Sequence, residues 1–197
     1  MACMESPTTL KQTTKVPREL ARVKRSAELQ LKTRLIGAAN QAGHELPDWL
    51  IAELRSNHAG EAGAVMIYRG ILAVSKNSEV RAFALRHLET EQYHLQRIAE
   101  VMPPNSETRL LGLWKIMGWL TGALPSLVGP HAVFATIEAV ETFVDHHYQE
   151  QIDRLSEDGP FSGLRQLLVE CQQDEVAHRD EAASLVVTKI GQLARCW

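Results

Sequence analysis

Two glutamates of this chain each stand three residues before a histidine, as Glu91-x-x-His94 and Glu175-x-x-His178. On a helix, i,i+3 spacing sets a carboxylate and an imidazole on one face about a turn apart. Each pair has a lone glutamate upstream, Glu61 at 30 residues before Glu91 and Glu141 at 34 before Glu175. Gaps of that size hold one long helix, a turn and part of an antiparallel return. The half-sites also repeat: 80 residues separate Glu61 from Glu141, 84 separate His94 from His178, and a tyrosine follows each lone glutamate by seven residues, Tyr68 and Tyr148. Four carboxylates and two imidazoles turned inward from four helices make a binding site for two metal ions. An oxygen-rich set with two imidazoles suits iron or manganese rather than a thiolate-bound metal.

One Glu-x-x-His alone is ordinarily a solvated helix face. Here both pairs have partners at matched spacing, and the partners sit among small or apolar residues. Glu61 lies in His-Ala-Gly-Glu-Ala-Gly-Ala-Val and Glu141 in Ile-Glu-Ala-Val-Glu-Thr-Phe-Val. Ionised carboxylates rarely enter such surroundings unless paired or metal-bound. Glu138 competes with Glu141 as a ligand or supporting acid, and the repeated Glu-x6-Tyr spacing favours Glu141. By helical angle His147 falls about 120° from the Glu141 stripe, and His87 lies one turn before Glu91, so both read as structural or surface residues. The second ring nitrogens of His94 and His178 need acceptors, for which Asp145 and Glu138 are candidates.

The elements that must carry these residues are helical. At 197 residues the length is that of one domain with a real core. Alternating β-branched runs are scarce and no Asn-Gly turn appears. The expected fold is all-α: a four-helix bundle with an extra N-terminal helix and a short apolar helix between bundle helices 2 and 3. Residues 1–46 read as a basic arm, with a helix over about 17–42, and 47–197 as the bundle domain. The bundle helices are expected over about 47–74, 78–102, 131–156 and 160–190, with Pro47 in a first turn, Asn77 or Ser78 at a start, Pro103-Pro104 as a stop and Asp158 as a capping candidate. Residues 11–34 hold eight Lys/Arg and two Glu, whereas 35–197 carry 13 basic and 21 acidic residues. A basic arm on an acidic body fits anionic lipid, a partner protein or a solvated helix, and nucleic acid is not an expected partner. Cys3, Cys171 and Cys196 form no metal or disulfide pattern and point to a reducing compartment, Cys171 to core packing.

Leu110–Ile137 is the second informative stretch, with Lys115 its only formal charge. Its length would serve a membrane span, but a span would put Glu91 and His94 on one side of a bilayer and Glu141 on the other. Gly118, Gly122, Pro125 and Gly129-Pro130 are also expected to break the run. The expected role is docking in a membrane interface through Leu113, Trp114, Met117, Trp119 and Leu120; a buried crossover or an oligomer contact is the alternative.

Asn57-His-Ala-Gly-Glu61-Ala-Gly-Ala, Glu91-x-x-His94, Val140-Glu141 with His146-His147-Tyr148, and Glu175-x-x-His178 together resemble the demethoxyubiquinone hydroxylase family, ferritin-like di-iron carboxylate proteins of ubiquinone biosynthesis. The resemblance covers about residues 53–183; Ser56 and Ile71 depart from its pattern. It implies two iron ions held by Glu61, Glu91, His94, Glu141, Glu175 and His178, with Glu91 and Glu175 bridging. It also implies that His147 and Tyr148 help electrons pass between quinone and iron, Tyr148 alone approaching the metals directly. The implied reaction inserts one oxygen atom of O2 into the ring of a membrane-embedded polyprenyl demethoxybenzoquinone. With no Gly-x-Gly-x-x-Gly fingerprint and no four-thiolate cluster, the two electrons must come from outside, from NADH or a partner reductase. Biosynthetic partner proteins are further expected contacts. The expected location is peripheral, on the cytoplasmic face of a bacterial inner membrane or, alternatively, the matrix face of the mitochondrial one. A ferritin- or rubrerythrin-like iron oxidase or peroxidase would use nearly the same ligands, and a non-catalytic membrane-associated bundle is the third reading.

Overall fold

The computed structural model describes the backbone of residues 45–194 and the side chains of 45–186. The basic arm over 1–46, with its helix over about 17–42, lies outside the described residues except for Glu45 and Leu46. The described residues form five helices and no strand: α1 (Asp48–Val74), α2 (Ser78–Val101), α3 (Leu111–Val128), α4 (Pro130–Asp153) and α5 (Ser162–Ala194). Helices α1, α2, α4 and α5 make the bundle, and α3 is laid along α1 and reaches α4.

Local chemistry sets most boundaries. Pro47 is extended and precedes α1. The Asn77 side chain accepts the N–H groups of Glu79 and Val80, both at 3.0 Å, and so starts α2. Gly129, at φ 136°, ends α3 and starts α4 in one residue, a conformation closed to most side chains. Helix α4 stops at Asp153 rather than near 156, and α5 starts at Ser162 rather than at Pro160. Between them Arg154 N–H bonds Gln151 O and Leu155 N–H bonds Ile152 O, tightening the chain into turns, while Arg165 Nε donates to Leu155 O at 3.1 Å.

The breaks expected at Gly118, Gly122 and Pro125 do not occur, and α3 runs unbroken for 18 residues. Both glycines are contact points. A Cβ on Gly118 would lie 2.3 Å from Gly63 O, and one on Gly122 would lie 1.9 Å from Ile67 O. Removing side chains there lets two backbones touch. Pro125 lies inside α3 in its last turn; it has no N–H to give to Thr121 O, yet the helix continues to Val128. No helix among the described residues is long and apolar enough to cross a membrane.

Two apolar layers fill the bundle. One gathers Leu50, Leu54, Ile98 and Leu168, the other Ile71, Phe83, Phe134 and Ile137. On α1 the first precedes Glu61 and the second follows it, so a polar stratum lies between them. Burying each such side chain stabilises by about 1.5–3 kcal/mol, which offsets the cost of that stratum.

Candidate metal centre

Helix α1 brings Glu61 to the bundle axis, α2 brings Glu91 and His94, α4 brings Glu141, and α5 brings Glu175 and His178. All six are buried to 4% exposure or less. Their donor atoms fall into two groups. Glu61, Glu91, His94 and Glu175 offer atoms within 4.8 Å of one another, as do Glu91, Glu141, Glu175 and His178. Glu91 and Glu175 belong to both.

Within the cluster four atoms converge without pairing off. His178 Nδ1 lies 3.1 Å from Glu91 Oε1 and 3.3 Å from Glu175 Oε2, yet none of the three has hydrogen-bonding geometry. Glu61 Oε2 is also buried without a partner. Polar atoms this deep are rarely left unsatisfied, and a shared cation would satisfy them together. Other atoms of the cluster are held by hydrogen bonds. Tyr148 donates to Glu61 Oε1, and Tyr68 donates to Glu141 Oε1 at 3.1 Å. His94 turns Nδ1 to Glu175 Oε1 at 2.9 Å and is held at Nε2 by Asp174 Oδ2 at 3.1 Å.

The electrostatics follow from crowding. Burial, with the Glu175 charge, pushes Glu61 up to about 7 against the His94 charge and the Tyr148 bond. Burial and the Glu175 charge push Glu91 and Glu141 well above the carboxylate range. Glu175 goes the other way: burial opposes its charge, but the close approach of the His178 ring and the bond from His94 hold it at about 2. His94 is disfavoured as a cation by burial, yet its bonds to Asp174 and Glu175 hold it well above the usual imidazole value. Tyr68 and Tyr148 are pushed up by burial and by adjacent carboxylates, so they stay protonated and donate. Excess negative charge held dry is the condition under which a cation binds in exchange for protons.

Beside the cluster lies a cavity of about 720 Å³ between α1, α3 and α4. Its lining includes all four carboxylates together with Trp114, Met117 and Phe143. The last three are exposed, so the cavity reaches from the buried acids to an apolar surface.

The family model described as "Ubiquinone biosynthesis protein COQ7" matches residues 48–193. The chain belongs to this family. Human NADPH-dependent 3-demethoxyubiquinone 3-hydroxylase, mitochondrial, is 34% identical over 131 residues, spanning 64% of this chain and 60% of that protein. The 3-demethoxyubiquinol 3-hydroxylase of Rhodospirillum rubrum is 37% identical over 130 residues, with the same two coverages of 64% and 60%. That of Cupriavidus taiwanensis is 29% identical over 167 residues, 84% of this chain and 80% of that protein. The chain thus spans about 60% of the length of the first two relatives.

In this COQ7-family chain the six residues named from the paired motifs come together. Tyr148 reaches the cluster, whereas His147, which the angular count sets off the Glu141 stripe, lies on the cavity wall. On α3, Leu113, Trp114, Met117 and Trp119 are exposed and Leu120 is half-buried. The supporting acids differ from expectation. Asp145 is engaged by Arg179 at 2.6 Å and Gln172 at 2.8 Å, and Glu138 lies outside both donor groups. Asp174 holds His94 instead; it precedes Glu175 in sequence, off the inward stripe, and so gives no periodic signal. His87 is buried and packs edge-on against His178, with ring centroids 4.0 Å apart. Burial and the neighbouring His178 hold it down at about 4, so its Nε2–H donates to Glu181 at 3.0 Å. Gln151 was also missed: it and Asn57 exchange amide bonds of 2.8 and 2.9 Å, tying α4 to α1 beside Tyr148. Asn57 is one turn before Glu61 and Gln151 one turn after Tyr148, a signal present in the spacing.

Proposed function

We propose that this chain hydroxylates the ring of a polyprenyl demethoxybenzoquinone in ubiquinone biosynthesis, with two iron ions held by Glu61, Glu91, His94, Glu141, Glu175 and His178. The reading is carried by one observation: a single cavity is lined both by the four buried carboxylates and by exposed apolar residues of α3 and α4. A long-tailed quinone needs both ends. Its ring must reach a reactive centre, and its tail must stay in an apolar medium. Two of the relatives are named as hydroxylases of demethoxyubiquinone or its quinol, the human one as NADPH-dependent.

In the net reaction one atom of O2 enters a ring C–H bond and the other leaves as water, consuming two electrons and two protons from outside. When bound, the two irons supply the electron storage that O2 reduction requires and a Lewis-acidic site for it. Glu91 and Glu175, common to both donor groups, would bridge the ions. Tyr148 keeps a proton against Glu61, and Tyr68 keeps one against Glu141, so each lone carboxylate presents its other oxygen inward. His147 and Tyr148 on the cavity wall would contact the ring and assist electron transfer from a quinol. Ala135, Ala139 and Val140 make that wall small and dry. Leu113, Trp114, Met117, Trp119 and Leu120 would seat α3 in the lipid interface, placing the protein peripherally on a membrane face.

The test is mass spectrometry of the product after the iron-loaded, reduced protein meets 18O2 and a short-tailed demethoxyquinone. One 18O in the ring is expected. O2 consumption with an unchanged quinone would contradict the reading and favour an iron oxidase.

A further inference from the structure

Glu53 lies on α1, two turns before Glu61, and belongs to neither donor group. Its carboxylate is braced. Arg154 Nη1 donates to Glu53 Oε1 at 3.0 Å, and the same guanidinium lies 3.8 Å over the Trp49 ring. The second oxygen, Oε2, faces His147 Nε2 at 4.0 Å. That nitrogen is buried and has no hydrogen-bond partner, while the ring lines the cavity and stacks on Phe143 with only 6° between planes. Few other charges face it. Arg154, the residue that follows the same helix, is engaged by Glu53. The α3 wall of the cavity is Trp114, Met117, Gly118 and Thr121, all uncharged. The cluster carboxylates line the same cavity.

These contacts select one tautomer. A bare lone pair on Nε2 would point at a carboxylate, which repels it. A proton there points at an acceptor, and about 1 Å of side-chain motion closes the gap to a hydrogen bond. We propose that Glu53, braced by Arg154 and Trp49, is a positioning residue that holds the His147 proton on Nε2, leaving Nδ1 as acceptor for a ring hydroxyl of a quinol in the cavity. The ligand half of this statement rests on the quinone reading above; the Glu53–His147 half does not. The arrangement is that of a carboxylate fixing an imidazole so that its far nitrogen takes a substrate proton.

Two variants separate acceptor from charge. Glu53→Leu removes both, and Glu53→Gln keeps an acceptor oxygen. The first readout is 15N NMR of the full chain labelled in histidine, with His147 assigned by loss of its signals in His147→Gln. The wild type is expected to show the Nε2–H form. Glu53→Leu is expected to average the two tautomers, and Glu53→Gln to retain the tautomer. Identical His147 tautomer signals in the wild type and Glu53→Leu would overturn the role of Glu53. The second readout is the Kd of a short-tailed hydroquinone against its dimethyl ether, which has no hydroxyl proton. The wild type is expected to prefer the hydroquinone by roughly fivefold, the worth of one neutral hydrogen bond; Glu53→Leu loses this preference and Glu53→Gln keeps it. Binding of neither ring by the wild type would overturn the ligand assignment and the quinone reading together, whatever the NMR shows.

Discussion

Gly122→Ala adds one methyl group and should separate two helices. The new Cβ would stand 1.9 Å from Ile67 O and 2.8 Å from Ile67 C, both backbone atoms that cannot rotate aside. Ordinary contact begins near 3.4 Å, so α3 must withdraw from α1 by about 1.5 Å. Overpacking of this kind costs about 1–3 kcal/mol, and the upper end applies because backbone is struck. Alanine returns about 1 kcal/mol of helix propensity. The net loss is about 2 kcal/mol, or a fall in Tm of about 4–8 °C for a domain of this size. Gly112→Ala is the matched control: it lies on the same helix, and its Cβ would meet nothing within 4 Å. It should raise Tm by about 2–4 °C through propensity alone. The assay is thermal unfolding followed by circular dichroism. A Gly122→Ala protein as stable as Gly112→Ala would refute the backbone-contact account of α3.

Further outcomes follow from the cluster and the apolar face. Folded Glu61 keeps its proton to about pH 7 against an ordinary 4.5, so the folded state binds more protons and metal-free stability falls as pH rises through that window, by up to about 3 kcal/mol. Glu175, held at about 2, adds stability that is present above 4.5 and lost only as pH falls toward 2. Calorimetry should therefore find metal-free Tm lower at pH 8 than at pH 5.5 and the iron-loaded order reversed; a metal-free Tm that rises over this range would contradict the protonation account. Glu61→Ala should leave one iron per chain and Glu91→Ala none by elemental analysis, because Glu91, unlike Glu61, belongs to both donor groups; equal losses would deny the sharing. Trp114→Asp with Trp119→Asp should release the protein from liposomes with its iron retained, and unchanged flotation would move this face into an oligomer contact.

The buried Glu/His cluster is legible because helices convert i,i+3 and i,i+7 spacing into one face, so Glu91 with His94 and Glu61 with Tyr68 announce their geometry in one dimension. What the sequence concealed lies across helices. Asp174 reaches His94 from beside the inward stripe, and the Glu53–Arg154–Trp49 bracing of His147 joins α1 to α4 through side chains 101 and 105 residues apart in sequence. Gly118 and Gly122 were read as breakers because a glycine lowers helix propensity. Their four-residue spacing instead places both on one face of α3, where absent side chains permit contact that propensity cannot register.

Two metal ions are expected to share Glu91 and Glu175. Anomalous X-ray scattering at the iron edge from crystals of the iron-loaded protein tests this directly. Two peaks are expected, one beside Glu61 and His94 and the other beside Glu141 and His178, with Glu91 and Glu175 contacting both. A single peak, or peaks away from these six side chains, would contradict it.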